Sequence, residues 1–349
     1  MMGIIKKTVR YFLVLILVIL YAVILALAYF NFPVGNAQKK SELGITFSSR
    51  YSQDIGLDWK KNYVALLDDL GIRKIRIPIY WDLVEKEKDV YDFSDIDWQL
   101  DEAAKRNAEI ILVVGQKVPR WPECFIPKWI GENNEELRAN VDLKNSEILQ
   151  FIDSATKRYK NHPAVEYWQV ENEPFLAFGD CPTPTIDPNM LDQEIEIVRK
   201  NVPNKKIIVT DSGELSSWMA ASSRADVFGT TMYRNIYKQG WGYYVYPLGP
   251  RFFRAKQWLI RTFANQDNAV VIELQAEPWV SGWTVHKSLE EQFNSMNEKK
   301  LREIVSYAKD GGFPQIYLWG AEWWYWLKTE KNHPEVWEEM RKLIQENNV

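Results

Sequence analysis

Tyr159-Lys-Asn-His-Pro-Ala-Val-Glu-Tyr-Trp-Gln-Val-Glu-Asn-Glu-Pro174 is the stretch on which the reading of this 349-residue chain turns. A helical pattern runs into it over 145–160. Residues 165–170 then form a short run rich in β-branched and aromatic side chains, and the run opens abruptly into Glu171-Asn172-Glu173. The same unit recurs on both sides. Strands are expected at 43–47, 74–79, 109–114, 165–170, 206–210, 226–232, 269–274 and 315–319. Helical patterns lie between or after them, near 58–70, 95–106, 145–160, 189–201, 215–223, 251–265, 288–310 and 334–346. Alternation of this kind implies parallel strands, and eight units in about 300 residues match an α/β (β/α)8 TIM barrel. The rival is an open doubly wound sheet, which usually carries a glycine-rich phosphate turn. The chain has no G-x-G-x-x-G and no Walker motif.

In a barrel, chemistry belongs at the C-terminal ends of the strands. The fourth strand ends in Glu171-Asn172-Glu173, and the seventh runs Val270-Val-Ile-Glu273-Leu-Gln275. Two carboxylates facing each other across a cleft suit glycosidic bond hydrolysis. One protonates the leaving oxygen, and the other attacks the anomeric carbon or activates water. Clustered acids can instead bind divalent metal, but that usually takes three or more converging ligands, and the other strand ends supply mostly Arg, Trp and Tyr. Composition narrows the field further. The net charge of −4 argues against a general nucleic-acid binder. Two cysteines exclude a four-cysteine zinc site, and the three histidines never fall at metal-ligand spacing. No metal or other cofactor is expected. Sixteen Trp, 17 Tyr and 15 Phe supply flat apolar surface of the kind on which sugar rings pack.

At these residues the chain resembles the clan A glycoside hydrolases, which include β-glucanases, mannanases, xylanases, β-galactosidases and β-xylosidases. The stretch 159–174 is similar to the clan's fourth-strand signature. Arg76-Ile-Pro-Ile-Tyr-Trp81, Glu85 and Tyr91-Asp-Phe-Ser-Asp-Ile-Asp97 resemble its second unit, and Pro119-Arg-Trp121 a further element. Similarity in kind extends over roughly residues 43–345. Two departures mark a divergent member: Ile272 precedes Glu273, and the sixth strand ends Thr-Thr-Met-Tyr233.

The resemblance implies a retaining double displacement, with Glu173 as general acid/base and Glu273 as nucleophile, their carboxyl groups about 5–5.5 Å apart. It also implies that Asn172 hydrogen-bonds the sugar 2-hydroxyl, that Arg76 and Tyr233 keep the nucleophile ionised, and that Trp319 is the floor under the sugar. Trp81, Trp121, Trp323, Trp324, Glu277 and Glu322 are further candidates for sugar contact, each with ordinary packing or loop capping as the alternative. Glu277-Pro278 copies the Glu-Pro motif, but four residues past Glu273, in a loop. Glu171 reads better as a structural acceptor, and Asp211 and Glu214 as either cleft residues or helix caps. His162 is expected to be structural, and His286 and His333 to lie at the surface. Residues 241–250 are expected to form an irregular, aromatic cleft wall.

Residues 11–30 carry no charge and follow Lys6, Lys7 and Arg10. Twenty helical residues span about 30 Å, the thickness of a bilayer core. The expected organisation is a basic cytoplasmic segment (1–10), a transmembrane signal-anchor (11–30), a linker (31–41) and an extracytoplasmic hydrolase domain (42–349). Small residues at 26–28 and 35–37 leave signal cleavage and secretion as the alternative. Export permits a disulfide between Cys124 and Cys181 if their loops are neighbours; two free thiols are the other possibility. The expected partners are an oligo- or polysaccharide and the lipid bilayer, with no nucleic acid, and the chain is expected to be monomeric. A transglycosylase using the same Glu pair, a catalytically silent glycan-binding barrel and a metal-dependent hydrolase are the competing functions.

Overall fold

In a computed structural model, residues 2–34, 40–183 and 185–347 are described, with side chains from residue 7 onward. Part of the expected linker, including the possible cleavage residues 35–37, lies outside the described residues. Eight strands close into a parallel barrel: β1 (Glu42–Thr46), β2 (Lys74–Pro78), β3 (Glu109–Val114), β4 (Val165–Val170), β5 (Lys206–Asp211), β6 (Val227–Met232), β9 (Ala269–Gln275) and β10 (Gln315–Trp319). Two more strands, β7 (Asn235–Lys238) and β8 (Gly242–Val245), form an antiparallel hairpin between β6 and β9. β1 pairs with both β2 and β10, which closes the cylinder. Every barrel strand is buried along most of its length because helices cover its outer face.

The barrel interior is filled low down by Ile111, Ile208, Val227, Val270, Ile272 and Tyr317. The larger core lies between strands and helices. The long helix Val141–Tyr159 buries Ile148, Phe151, Ile152 and Ala155, a 3–4-residue spacing that gives one apolar face. Helix Pro188–Asn201 begins with Asp187, whose carboxylate accepts from the amides of Asn189 and Met190, and Pro188 occupies the first turn, where its missing N–H costs nothing.

Two expectations are corrected here. The first half of 241–250 is not irregular, since Gly242–Val245 pairs with Asn235–Lys238 around a turn containing Gly240. The tryptophan-rich segment after β10 is not a loop of cleft aromatics. It is a helix, Ala321–Glu330, that buries Trp323, Trp324, Trp326 and Leu327.

The N-terminal helix Met2–Asn31 stands apart from this core. An 18-residue window within its stretch Lys7–Asn31 has a mean hydropathy of 3.0 and is not buried. It is long and apolar enough to cross a membrane, and a signal sequence would pass the same test.

Candidate active site

A cavity of about 730 Å³ opens at the C-terminal ends of the strands and is lined by Glu123, Glu173, Glu214, Glu273 and Glu277 among aromatic side chains. One strand irregularity decides how Glu273 enters it. Thr230 pairs with Val271 but Thr231 pairs with Glu273, so Ile272 is an extra residue on β9. Val270 and Ile272 both fill the barrel interior. Strict alternation would send Glu273 outward; the bulge turns it inward instead.

Arg76, the middle residue of β2, organises the carboxylate. Its buried guanidinium donates to Glu273 Oε1 at 2.6 Å, to Asn172 Oδ1 at 2.6 Å and to Gln169 Oε1 at 2.7 Å. The Tyr233 hydroxyl donates to Glu273 Oε2 at 3.1 Å. Both oxygens of Glu273 are thereby held by donors. Burial first, and the Glu273 charge second, push the Tyr233 hydroxyl well above its usual range, so it stays a donor.

Glu173 is set differently. Its backbone amide donates to Thr210 Oγ1 at 2.8 Å, and its Oε1 accepts from Thr231 Oγ1 at 3.1 Å. Burial, then the negative charges of Glu273 and Glu123, hold its carboxyl well above the usual range, which favours the protonated form. Its φ of 43° lies in the left-handed region, as do those of Glu171 (57°), Glu123 (78°) and Arg120 (95°). Such backbone is costly for side chains with a Cβ and tends to gather at functional sites.

Glu171 faces away from the cavity lining. Its two oxygens accept from the amides of Gln116 at 2.9 Å and Lys117 at 2.7 Å, which fixes the turn after β3. Gly115 permits this approach, because a Cβ there would lie 2.5 Å from the Glu171 carboxyl carbon. Lys117 reaches back to the carbonyls of Glu173 at 3.0 Å and Leu176 at 3.1 Å.

A second ionic group forms the far wall. Arg120 lies between the rings of Tyr51 (3.9 Å) and Trp319 (4.2 Å) and bonds both Glu277 and Glu322. Trp319 Nε1 donates to Glu277 Oε1 at 2.7 Å. Trp319 and Glu277 line the cavity; Glu322 does not, being fully buried and also accepting from the Ser48 amide. The expected sugar contact of Glu322 is therefore corrected to a support for Arg120. Trp81 and Trp323 are corrected likewise. Trp81 is buried against Phe151 with Nε1 on Glu85 at 2.6 Å, and Trp323 is buried with Nε1 on Gln292 at 2.7 Å. Trp324 donates to the Ala276 carbonyl from inside the core. Trp121 lies on the rim, 61 % exposed, edge-on to Phe178 at 6.1 Å.

Glu214 lines the cavity and accepts from the Tyr233 amide at 3.1 Å, whereas Asp211 is buried and accepts from the Ser212 amide at 2.9 Å without reaching the lining. His162 accepts from the Ala164 amide at 3.3 Å below the barrel, His286 is exposed, and His333 faces Glu335 at 3.5 Å. Cys124 and Cys181 are joined, their Cα atoms 5.3 Å apart, so the loops after β3 and β4 are tied together at the cavity rim.

Sequence reasoning missed Glu123, Arg120, Trp279 and Trp283. Glu123 accepts from Asn172 Nδ2 at 3.2 Å, and burial, opposed by Lys117 and reinforced by Glu273, raises its carboxyl to about 7. It sits beside Cys124 in a loop, and no strand-end pattern marks it. Of groups that could hold a metal, Glu85, Asp89 and Glu147 offer oxygens within 4.8 Å of one another, outside the cavity lining. Glu85 already accepts from Trp81 and the Asp89 amide, and Glu147 from Lys88.

Fold and site together define a closed (β/α)8 barrel with a carboxylate-lined cleft at the strand ends. Known sugar-cleaving enzymes are similar to it in part. A family model for glycoside hydrolase family 42, described as beta-galactosidase, matches residues 56–187, a span that includes Arg76 and Glu173 but not Glu273. Beta-galactosidase Bga of Halorubrum lacusprofundi is 22 % identical over 135 residues, covering 33 % of this chain and 18 % of the relative. Beta-galactosidase BgaA of Clostridium cellulovorans is 24 % identical over 172 residues, covering 46 % and 26 %. The chain thus spans about a quarter or less of these relatives' length. Among solved structures, the exo-beta-1,4-mannosidase Op5Man5 from an Opitutaceae bacterium superposes with a TM-score of 0.58 at 13 % identity, covering 90 % of this chain and 62 % of that one. The beta-galactosidase of the psychrophilic Marinomonas ef1 gives 0.55 at 14 %, covering 87 % and 59 %. Xylanase 10B of Thermotoga maritima gives 0.53 at 16 %, covering 88 % and 97 %.

Proposed function

We propose that the chain is a retaining glycoside hydrolase of β-linked sugars, with Glu273 as nucleophile and Glu173 as general acid/base, and that it needs no cofactor. The observation that carries this reading is the contrast within one cavity. Glu273 is held by Arg76 and Tyr233 from two sides, while Glu173 is buried and biased toward its protonated form. In the first step a Glu273 oxygen attacks the anomeric carbon as Glu173 gives its proton to the departing glycosidic oxygen. In the second, Glu173 takes a proton from water, the water oxygen attacks the same carbon, and Glu273 leaves as carboxylate. Asn172 gives one amide hydrogen to Glu123 and has the other available for the 2-hydroxyl of the sugar. Trp319, Trp121, Trp279 and Glu277 are the contacts proposed for the rest of the glycan.

The division into a cytoplasmic segment (1–10), an anchor (11–30), a linker (31–41) and the barrel (42–349) belongs to the same reading. It places the cavity outside the cytoplasmic membrane.

The test is turnover of aryl β-galactosides, β-mannosides, β-xylosides and β-glucosides by the full chain in detergent, wild type beside Glu273→Ala. Loss of turnover in the variant, restored by azide with inverted configuration at the glycosyl azide, supports the assignment. Turnover that survives without azide moves the nucleophile elsewhere, with Glu277 the next candidate. A folded wild type that binds glycans but releases nothing from any aryl glycoside points to the silent binding barrel.

A further inference from the structure

The helix Pro250–Ala264 reads PRFFRAKQWLIRTFA, with four cations and no acid. Phe253, Lys256 and Ile260 face the core. Three of its large apolar side chains are nonetheless exposed: Trp258 is 58 % exposed, Phe263 66 % and Leu259 39 %. At 100° per residue Phe252, Leu259 and Phe263 fall within about 40° of one another, a stripe about 16 Å long. Trp258 flanks it and meets Phe263 edge-on at 6.3 Å.

The stripe begins where the N-terminal helix ends. Phe30 packs on Phe252 at 5.5 Å, Asn31 Nδ2 donates to the Pro247 carbonyl at 3.0 Å, and Arg251 donates to the Pro33 carbonyl at 2.9 Å while lying over the rings of Tyr29 and Phe32. If residues 11–30 cross the bilayer, residues 29–33 mark its surface, and the start of Pro250–Ala264 is fastened to that level. Exposed Trp, Leu and Phe on a helix whose charged residues are all basic is the composition of a helix that rests in the headgroup region. Arg251 and Arg254 supply the charge that favours an anionic leaflet, while Arg261 pairs with Asp267 at 3.0 Å.

We propose that the exposed face of Pro250–Ala264 is a membrane-contact surface that seats the barrel on an anionic lipid bilayer beside its own anchor. Tyr246, a residue of the cavity rim, lies next in sequence to the docked Pro247, so this seating holds the cavity mouth close to the lipid surface. The proposal rests on the anchor reading and is tested separately from it.

The full chain is reconstituted in vesicles of phosphatidylcholine with phosphatidylglycerol. Single spin labels are placed through Leu259→Cys, Phe263→Cys, Leu20→Cys and, as an exposed reference on another helix, Gln193→Cys. Collision with oxygen, which concentrates in lipid, is compared with collision with a water-soluble nickel chelate. The expected result is an oxygen-to-nickel ratio at 259 and 263 several-fold above that at 193, with the label at 20 deep in lipid. A ratio at 259 and 263 equal to that at 193, with the label at 20 in lipid, overturns the contact surface and leaves the anchor standing. Shielding of 259 and 263 from both reagents means that protein covers the stripe and also overturns it. A label at 20 that reads as water overturns the anchor itself.

Discussion

Tyr233→Phe removes one oxygen from the cavity and little else. The ring keeps its edge-on contact with Trp279 at 5.2 Å, and no void is opened in the barrel. What is lost is the 3.1 Å hydrogen bond from the phenol to Glu273 Oε2. Arg76 still holds Oε1, so the carboxylate keeps one of its two anchors. A hydrogen bond to a charged group is worth about 1.5–3 kcal/mol. If that bond orients the nucleophile throughout the reaction, the same energy appears in the barrier. At 1.36 kcal/mol per decade this is a loss of about ten- to a hundred-fold in kcat/KM. The assay is initial-rate hydrolysis of two aryl β-glycosides of the accepted sugar, one with a dinitrophenyl and one with a phenyl leaving group. Both rates should fall by a similar factor, because the phenol acts on the nucleophile and not on the departing oxygen. Glu173→Gln is the contrast: it should spare kcat/KM for the dinitrophenyl substrate, which leaves without a proton, while lowering its kcat because the second step loses its base, and should nearly abolish turnover of the phenyl one. The unfolding midpoint of Tyr233→Phe should stay within a few degrees of wild type. A kcat/KM within two-fold of wild type would refute the argument, since the hydroxyl would then not be restraining Glu273 during turnover.

Other consequences can be checked alongside. Glu123, raised to about 7 chiefly by burial, binds its proton more tightly in the folded than in the unfolded chain. Its contribution to stability is complete below the unfolded carboxylate value near 4 and is lost as pH rises through about 7; the unfolding midpoint should decline less steeply between about pH 5 and about pH 8 in Glu123→Gln than in wild type. The disulfide closes a separation of 57 residues, so replacing both Cys124 and Cys181 by serine should cost about 4 kcal/mol by the chain-entropy relation, read as a drop of several degrees in the midpoint. Trp121, exposed on the rim, should matter for long substrates only: Trp121→Ala is expected to raise KM for oligosaccharides several-fold while kcat on a short aryl glycoside stays unchanged.

The sequence alone was enough for the barrel and for the strand ends that line its cavity. Alternating short apolar runs and amphipathic helices are local patterns, and each barrel strand lies within a residue or so of where its run predicts it. The positions of Glu173, Tyr233 and Trp319 at strand ends, and of Arg76 within β2, follow from the same periodicity together with the motif resemblance. Local pattern could not decide which aromatic rings face the cleft. Trp323 and Trp324 follow β10 closely enough to look like a sugar platform, yet the segment coils into a helix and its apolar face turns to the core. Glu273 was named from its strand and the motif resemblance, but alternation alone does not explain its inward turn, which depends on one extra residue, Ile272, whose presence as a bulge is set by pairing with β6 on one side and β10 on the other. The roles of Glu123 and Arg120 emerged only through tertiary contact, although Pro119-Arg-Trp121 already stood out in the sequence. Their loop is positioned by the disulfide to Cys181 and by rings of Tyr51 and Trp319 that are distant in sequence. Strand and helix periodicity is written residue by residue, whereas the direction of a loop side chain depends on which distant segments surround it.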